Sequence, residues 1–370
     1  MGTVVLRQTR QTAYAGRTAF TGIVTAAMAV AAVVSVPTSA TAQEFVPCGQ
    51  TALKNAIARA NATPGPSLLV LALGCQYTLT TPHNDANGLP VITSQISLIG
   101  NGSTIRRSTQ TGTPEFRIFE VSGPNGDLRL GGLTVRNGRA PTAFGGGVWV
   151  HGGGKLSVDR SKIIHNYADE GGGGIASESS TVTVSNSDLM YNVSLGDGAG
   201  YLDYPQSVTI FRNSTVSGNT SLGGQGGGIE VDGRLTVSDS RVLDNSAGAD
   251  GGGIMIAPDA NVTLTDTVIR SNSSAAIGGG INNYGTLQMT GGEIFANRVT
   301  QGALDSRQGG GIANRGGSVT LSNTRVTNNA ALNAPGGILN SGGQVTLNST
   351  VVTENLPTNC APSTVPGCTD

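Results

Sequence analysis

Charged and aromatic residues are both scarce in this chain of 370 residues: Asp, Glu, Lys and Arg make up 12%, and Phe, Trp and Tyr only 4%. So few aromatic residues argue against a conventional globular core and favour a repeat protein with a thin, continuous aliphatic core. The formal net charge of −1 provides no electrostatic footprint for nucleic acid, so nucleic acid is not an expected partner. The 56 glycines do not recur at every third position, which excludes collagen.

Histidine is equally scarce, and metal-binding patterns are weak. The three histidines, His83, His151 and His165, occupy unrelated places in the sequence, so neither a zinc site nor a Ser-His-Asp triad is expected. Calcium-binding glycine-rich repeats would show stacked Gly-Gly-x-Gly-x-Asp segments, and only Gly196–Tyr201 is similar, once. We interpret that segment as a turn and expect no cofactor, with calcium as the alternative.

Residues 1–42 have the pattern of a secretory signal peptide. A basic front without acidic residues is followed by an apolar stretch at 23–36 and by the small residues Ala40-Thr41-Ala42, which predict cleavage before Gln43. The alternative is an uncleaved membrane anchor, but the apolar stretch is short and interrupted by Thr and Ser. We expect a secreted, extracellular protein with no membrane association after cleavage.

An internal repeat dominates the sequence. Three small residues, mostly glycines, precede a large apolar residue about every 27 residues. These apolar residues are Val148, Ile175, Tyr201, Ile229, Ile254, Ile281, Ile312 and Ile338. Between them lies a second motif, apolar-x-apolar, then Ser, Thr or Gly, then apolar-x-x-Asn. Its asparagines are Asn166, Asn192, Asn219, Asn245, Asn272, Asn297, Asn329 and Asn355.

The repeat predicts the fold. Short alternating segments such as Thr181–Val184 are typical of strands with one buried face, and each ends in Asn or Gly, which turn corners and tolerate φ > 0. One turn of chain per repeat would stack apolar residues on apolar residues, and Asn on Asn, at about 4.8 Å. We predict an all-β, single-stranded right-handed parallel β-helix. A β-propeller would need longer repeats, and leucine-rich repeats would need a Leu consensus and helices.

The chain divides into four predicted regions: the signal peptide, an N-terminal cap helix with irregular first rungs at 43–147, regular repeats at 148–355 and a C-terminal tail at 356–370. The cap helix covers 51–62, with Thr51 as its N-cap and Leu53, Ile57 and Ala60 on one face. Such a helix would cover the open end of the first rung.

The four cysteines agree with export, since an even number in an exported chain favours disulfides over free thiols. Four cysteines allow three pairings. We favour Cys48–Cys75 and Cys360–Cys368, because a solenoid keeps its two ends far apart.

These motifs resemble known families. The Gly-Gly-Gly-Ile and apolar-x-x-Asn elements resemble the repeats of chlamydial polymorphic outer-membrane proteins, with Ile294–Asn297 as the best local match. Residues 43–370 look like exported right-handed β-helix repeat proteins of actinobacteria, in the head segment Cys48–Ile57 and the tail from Asn355 to Cys368. The resemblance implies the pectate-lyase-like superfamily, which includes polysaccharide lyases and hydrolases, although fold alone establishes no activity. Unlike the chlamydial proteins, the sequence continues into no further domain, so we expect a soluble, released protein.

Strand alternation places one set of side chains outside after each glycine corner. The functional candidates on this face are Trp149, His151, Glu178, Tyr204, Glu230, Asp232, Tyr284 and Arg315. Aromatic rings beside carboxylates suit sugars, although an ordinary solvated strand face is the alternative. The same alternation predicts that Asn283, Asn314 and Asn340 point inward.

We therefore predict a monomeric interaction protein that is adhesion-like or binds a cell-surface or plant-type polysaccharide. The alternative is a polysaccharide lyase or glycoside hydrolase that uses Glu230, Asp232 and Glu178. Glu230 and Asp232 would lie about 7 Å apart along one strand, a separation compatible with an inverting glycosidase.

Overall fold

The computed structural model describes residues 42–301 and 307–370, and the predicted signal peptide lies outside these ranges except for Ala42. The described chain forms a right-handed parallel β-solenoid of about 11 turns, and a single helix accounts for 4% of the residues. The predicted fold class is therefore confirmed.

The strands form four parallel sheets, which we number 1 to 4 in chain order around a turn, and each of the seven turns between Asp127 and Arg315 contributes one strand to every sheet. Sheet 1 consists of Ala42–Val46, Ser67–Leu71, Gln95–Ile99, Asp127–Gly131, Lys155–Asp159, Thr181–Ser185, Val208–Arg212, Arg234–Ser238, Asn261–Thr265, Thr286–Thr290, Ser318–Ser322 and Gln344–Asn348. Sheet 2 consists of Gln76–Leu79, Thr104–Arg107, Thr134–Arg136, Lys162–Ile164, Asp188–Met190, Thr215–Ser217, Arg241–Leu243, Val268–Arg270, Glu293–Phe295, Arg325–Thr327 and Val351–Thr353. Sheet 3 consists of Arg139–Ala140, Tyr167–Ala168, Val193–Ser194, Thr220–Ser221, Ser246–Ala247, Ser273–Ser274 and Arg298–Val299. Sheet 4 consists of Phe119–Ser122, Val148–His151, Ile175–Ser177, Tyr201–Asp203, Ile229–Val231, Ile254–Ile256, Ile281–Asn283, Ile312–Arg315 and Ile338–Ser341.

The predicted apolar column lies inside sheet 4. Val148 pairs with Ile175, and the register continues without a break to Ile338. All eight members are fully buried. Burying such side chains is the main favourable term in folding, so this column forms a continuous part of the hydrophobic core.

The predicted asparagine ladder is also confirmed. In each step the side-chain Nδ2 donates to the Oδ1 of the next turn's asparagine, at 2.9–3.1 Å. The backbone N–H of each asparagine donates to the same Oδ1. The last rung, Asn355, donates to Oδ1 of Asn359 in the tail, which ends the ladder.

We expected the ladder asparagines themselves to take the left-handed conformation at each corner. The left-handed residue instead lies one position earlier. His165 and Tyr191, for example, both have φ of 55°, and the same position in later turns is also left-handed. The asparagine side chain bonds inside the corner, while its neighbour takes the unusual backbone conformation. The glycine triplets relieve close approach, because a Cβ on Gly228 would lie 2.7 Å from the carbonyl oxygen of Gly253.

Both ends of the solenoid are covered. The helix Gln50–Ala62 buries Leu53, Ala56, Ile57 and Ala60, as the sequence pattern predicts. Its N-cap is Gly49 and no side chain caps it, so the prediction that Thr51 is the N-cap was wrong.

The two predicted disulfides, Cys48–Cys75 and Cys360–Cys368, are both present. The first joins the segment before the cap helix to the segment before the first strand of sheet 2. The second closes the tail, in which Val365 is buried. Each disulfide therefore holds one end of the solenoid, and neither joins the two ends.

Candidate functional site

The candidate residues lie on the outer face of sheet 4, which is formed by three columns of side chains that run along the solenoid. The first column lies in the corner before each strand and contains Phe144, Gly171, Asp197, Gln225, Asp250 and Ile277. The second column contains the outward residue of each strand: Glu120, Trp149, Ala176, Leu202, Glu230, Met255, Asn282 and Ala313. The third column lies at the strand ends and contains Ser122, His151, Glu178, Tyr204, Asp232, Ala257, Tyr284 and Arg315.

Trp149 and His151 form one end of this face. Their rings stack with centroids 4.0 Å apart, and the guanidinium of Arg117 lies 4.8 Å from the indole centroid. Glu120 joins the group, because one carboxylate oxygen lies 3.0 Å from His151 Nε2 and the other accepts from Arg117 at 3.1 Å. Burial alone would raise the pKa of Glu120, but the hydrogen bonds from His151 and Asn87 and the charges of Arg117 and His151 together outweigh it, and the pKa falls below its usual value.

An aromatic pair connects this end to the centre of the face. The rings of Phe144 and Tyr204 meet edge to face with centroids 5.3 Å apart, although two turns separate the residues along the solenoid. The intervening turn contributes Gly171 and Ala176, and these small residues leave space for the contact. Phe144 therefore packs against Tyr204, whereas Trp149 packs against the His151 ring and the Arg117 guanidinium.

The centre of the face is acidic. Glu230 is 9% exposed and lies between Leu202 and Met255 of the adjacent turns. Its Oε2 is buried and has no hydrogen-bond partner. Asp232 is partly buried two residues further along, and Asp197 accepts a 2.7 Å hydrogen bond from the backbone N–H of Gln225.

Burial and mutual repulsion favour the protonated forms of these acids. Burial raises the pKa of Glu230 to about 9, and the carboxylates of Asp197 and Asp232 add to the effect. The pKa of Asp232 is raised by burial and by Asp197. Burial and the charge of Glu230 raise the pKa of Tyr204 to about 12. A protonated buried acid beside a more exposed one is the arrangement that separates an acid from a base in many active sites.

A buried carboxylate, which the sequence analysis missed, lies directly beneath this centre. Asp203 points inward, in the column that holds Val150 in an earlier turn and Val231 in the next, and it is fully buried. Its Oδ1 accepts from the backbone N–H groups of Asp232, at 2.7 Å, and Gly233, at 3.0 Å. Burial raises the pKa of Asp203 to about 7, even though these two hydrogen bonds lower it.

The far end of the face combines charge with an aromatic ring. Arg315 lies 3.7 Å from Asp250 and 5.3 Å from the ring centroid of Tyr284. Asn282 donates to the same Asp250 carboxylate at 3.3 Å. Burial raises the pKa of Asp250, and the charge of Arg315 partly offsets this.

Two surface concavities follow the corner between sheets 4 and 1. One, with a volume of about 350 Å³, is lined by Asp232, and the other, of about 410 Å³, is lined by Tyr284. They share Asp259, so they are adjacent along the solenoid axis. An elongated ligand therefore has a shallow trough beside the third column.

The structure brings three of the eight predicted residues together in one group. Tyr204, Glu230 and Asp232 form one group, whereas Trp149 and His151 lie about three turns away, or about 14 Å. Glu178 is exposed, and its backbone N–H donates to the carbonyl oxygen of Val150 in the preceding turn, as in a regular parallel sheet. Within residues 42–301 and 307–370, no three His, Cys, Asp or Glu side chains are placed to hold a metal ion.

The residues that the sequence analysis missed are Asn87, Arg117, Glu120, Asp197 and Asp203. Glu120 occupies the same column as Trp149, but the repeat before residue 148 is too irregular to reveal this. The sequence could have indicated Asp197, because it lies four residues before Tyr201 and Asp250 lies four residues before Ile254, the same position in the repeat. Asp203 is a charged residue in a column whose other members are apolar, amide or, at Ser177, hydroxyl side chains, and this departure from the repeat was its signal.

Comparison with known proteins agrees with the fold. Residues 94–250 match the family described as right handed beta helix region, so the chain is similar to that family over this stretch. Comparison with curated proteins gives no match. Among solved structures, the chain is similar to tailspike protein 3 of bacteriophage CBA120, with 13% sequence identity and a TM-score of 0.29. The alignment covers 85% of this chain and 59% of the tailspike chain.

The solenoid structure and the family match over residues 94–250 place the described chain in the class of right-handed parallel β-helix proteins. Its two disulfides fit an extracellular location, because such bonds persist in oxidising compartments. No helix in the described part of the chain has the length and hydrophobicity needed to span a membrane.

Proposed function

We propose that the protein is a secreted polysaccharide-binding β-helix and that the outer face of sheet 4 is its binding surface. The observation that carries the proposal is Glu230 Oε2, which is buried on an outward-facing side chain and has no partner. Buried polar atoms are nearly always hydrogen-bonded, so an unsatisfied one on an outward-facing side chain is a candidate ligand contact. Sugar hydroxyls are donors of the required kind.

The surroundings of Glu230 suit a sugar chain. Tyr204 and Phe144 provide rings against which a pyranose face can pack, and Trp149 provides another ring further along the same face. The columns run parallel to the solenoid axis, so equivalent positions recur about every 4.8 Å. A linear polysaccharide laid along the axis would contact several turns at once. A cell-surface or plant-type polysaccharide fits this description, as does an adhesion-like role.

Hydrolysis is a second candidate function, favoured by the contrast between Glu230 and Asp232. Glu230 is buried with a pKa of about 9, so it holds a proton at neutral pH, as a general acid must. Asp232 is more exposed, and two residues of strand separate the two Cα atoms by about 7 Å. Inverting glycosidases hold the two carboxyl groups about 6.5–9.5 Å apart, with room for a water molecule, and this Cα spacing permits such a separation.

Affinity gel electrophoresis against a panel of soluble polysaccharides tests binding, and reducing-end release tests hydrolysis on the same panel. We expect at least one polysaccharide to retard the protein, and the Glu230→Gln/Asp232→Asn variant to migrate as though no polysaccharide were present. The matched control is Glu293→Gln/Asp239→Asn, which removes the same two charges on other faces of the solenoid. Retardation that is equal in both variants would place binding elsewhere, and no retardation by any member would refute the proposal.

A further inference from the structure

The acids at the centre of the face lack cationic partners. Among the described residues, no Lys, Arg or His side chain forms an ion pair within 4.0 Å with Asp197, Glu230 or Asp232. The two arginines on the same face are already engaged, Arg117 with Glu120 and Arg315 with Asp250. The binding surface therefore concentrates acidic groups without cationic partners at one point along its length.

These acidic groups lie in a partly apolar setting. Leu202 and Met255, which flank Glu230 in the adjacent turns, are 3% and 5% exposed. Low local polarity strengthens every electrostatic interaction, so repulsion among the three carboxylates and attraction to an incoming cation are both larger than in water.

We infer that the polysaccharide bound at this face carries protonated amino groups, and that one of them binds between Glu230, Asp232 and Asp197. This inference rests on the proposed function, since it names the chemical class of the same ligand. An ammonium group supplies three donors and a positive charge, so it satisfies Oε2 and relieves the repulsion among the carboxylates. A polyuronate would instead bring another negative charge to the same point.

Two features favour an ammonium group on a sugar over a free metal ion. The described acids do not converge in a group that can hold a metal ion, whereas an ammonium group needs only hydrogen-bond acceptors on one side. The ring of Tyr204 lies in the same group and can contact either the sugar ring or the cation. A sugar that bears an amino group uses both kinds of contact at once.

Binding of a cation should release a proton from the acidic group. The titratable groups that interact with Glu230 are Asp232 on its own strand, Asp203 beneath it, Asp197 in the preceding corner and Tyr204 in the adjacent turn. All of them are acids, and Leu202 and Met255 do not titrate, so an added positive charge stabilises the ionised form of Glu230. Uptake of an uncharged sugar has no such effect.

Isothermal titration calorimetry at about pH 6, in two buffers of different ionisation enthalpy, tests this inference. Four oligosaccharides of equal length serve as probes: a β-1,4-linked glucosamine oligomer, its N-acetylated form, the unsubstituted glucan and an oligogalacturonate. We expect the glucosamine oligomer to bind at least about tenfold more tightly than the two uncharged oligomers, since charge-assisted hydrogen bonds are about twice as strong as neutral ones. The oligogalacturonate should bind most weakly.

The glucosamine oligomer should also release protons, and Glu230→Gln should abolish the release while Glu293→Gln leaves it unchanged. Uncharged oligomers that bind as tightly as the glucosamine oligomer would overturn the inference while leaving the proposed function intact. Failure of all four probes and of the polysaccharide panel to bind would overturn both. Equal binding of the glucosamine oligomer to wild type and to Glu230→Gln/Asp232→Asn would show nonspecific attraction of a polycation and overturn the inference.

Discussion

Asp203, inside the solenoid, accepts a 2.7 Å hydrogen bond from the backbone N–H of Asp232, whose own side chain lies on the outer face. At the equivalent place in neighbouring turns, the N–H groups of Tyr204 and Ala257 donate to backbone carbonyls instead. A buried side chain therefore replaces one backbone bond of the sheet and fixes the turn that carries an acidic residue of the site.

This relationship predicts different effects for two substitutions of Asp203. Asp203→Asn keeps an oxygen that can accept from Asp232 and Gly233, whereas Asp203→Val leaves both N–H groups without a partner. Each unsatisfied buried group costs about 1–3 kcal/mol, so we expect Asp203→Val to be less stable than Asp203→Asn by at least about 2 kcal/mol. Urea unfolding of both variants at one pH measures the difference, and equal stabilities would show that the two hydrogen bonds are unimportant.

Stability should fall as the pH rises from about 5 to about 9. The folded-state pKa of Glu230, about 9, lies above its ordinary value, so the folded protein binds more protons than the unfolded chain across this window. Stability contributed by the protonated form is therefore present at low pH and lost as the pH rises. Glu230→Gln removes the titration, and its loss of stability between pH 5 and pH 9 should be smaller than that of wild type by at least about 1 kcal/mol.

Thermal unfolding midpoints at the two pH values provide the measurement. Glu293→Gln is the control, because it removes a carboxyl group from another sheet, and it should follow the wild-type pH dependence. Identical pH dependence of Glu230→Gln and wild type would show that Glu230 ionises normally in the folded protein.

The asparagine ladder should be a major source of stability. Asn245 Oδ1 accepts from both the backbone and the side chain of Asn219, and its Nδ2 donates to Val216. Asn245→Ala leaves these groups unpaired, and we expect a loss of about 3 kcal/mol or more in the free energy of unfolding. The neighbouring Asp244→Asn is the control, since its left-handed φ of 54° tolerates Asn. Similar urea midpoints for the two variants would contradict this role.

A second ladder of amides lies within the core and begins abruptly. Asn283 donates to Asn314, and Asn314 to Asn340, but Asn283 Oδ1 has no partner because Ile256 precedes it in the column. Ile256→Asn would supply a donor to that oxygen. We therefore expect Ile256→Asn to destabilise the protein less than Val231→Asn, where no amide lies adjacent. Urea unfolding of the two variants measures their free energies of unfolding. A lower stability for Ile256→Asn than for Val231→Asn would show that the ladder does not extend.

The strict repeat made most of the fold predictable. A period of about 27 residues with glycine and asparagine in fixed places fixes the columns, the ladder and the inward orientation of Asn283 and Asn314, which are both fully buried. The cysteine pairing followed from the same picture, since only local pairs are compatible with separated ends.

The chemistry of the site was predictable only where it followed the repeat. Tyr204, Glu230 and Asp232 could be placed outside by alternation, but their burial and charge environment depend on corners that belong to other turns. The strand Val208–Arg212 shows the limit most clearly. Its apolar Val208 faces outward and Thr209 faces inward, because Phe211 must align with Val184 of the preceding turn and Thr209 bonds to Tyr201.

The most direct test of the central claim uses Trp149, the only tryptophan in the sequence. It lies on the proposed binding face, stacked on His151, so a bound sugar chain that contacts this end should change its fluorescence. We predict a saturable shift in emission when the bound polysaccharide or its oligomers are added. The shift should be lost in Glu230→Gln/Asp232→Asn and retained in Glu293→Gln/Asp239→Asn. A polysaccharide that binds the protein with no change in Trp149 emission, or with the same change in both variants, would contradict the assignment of the outer face of sheet 4 as the binding surface.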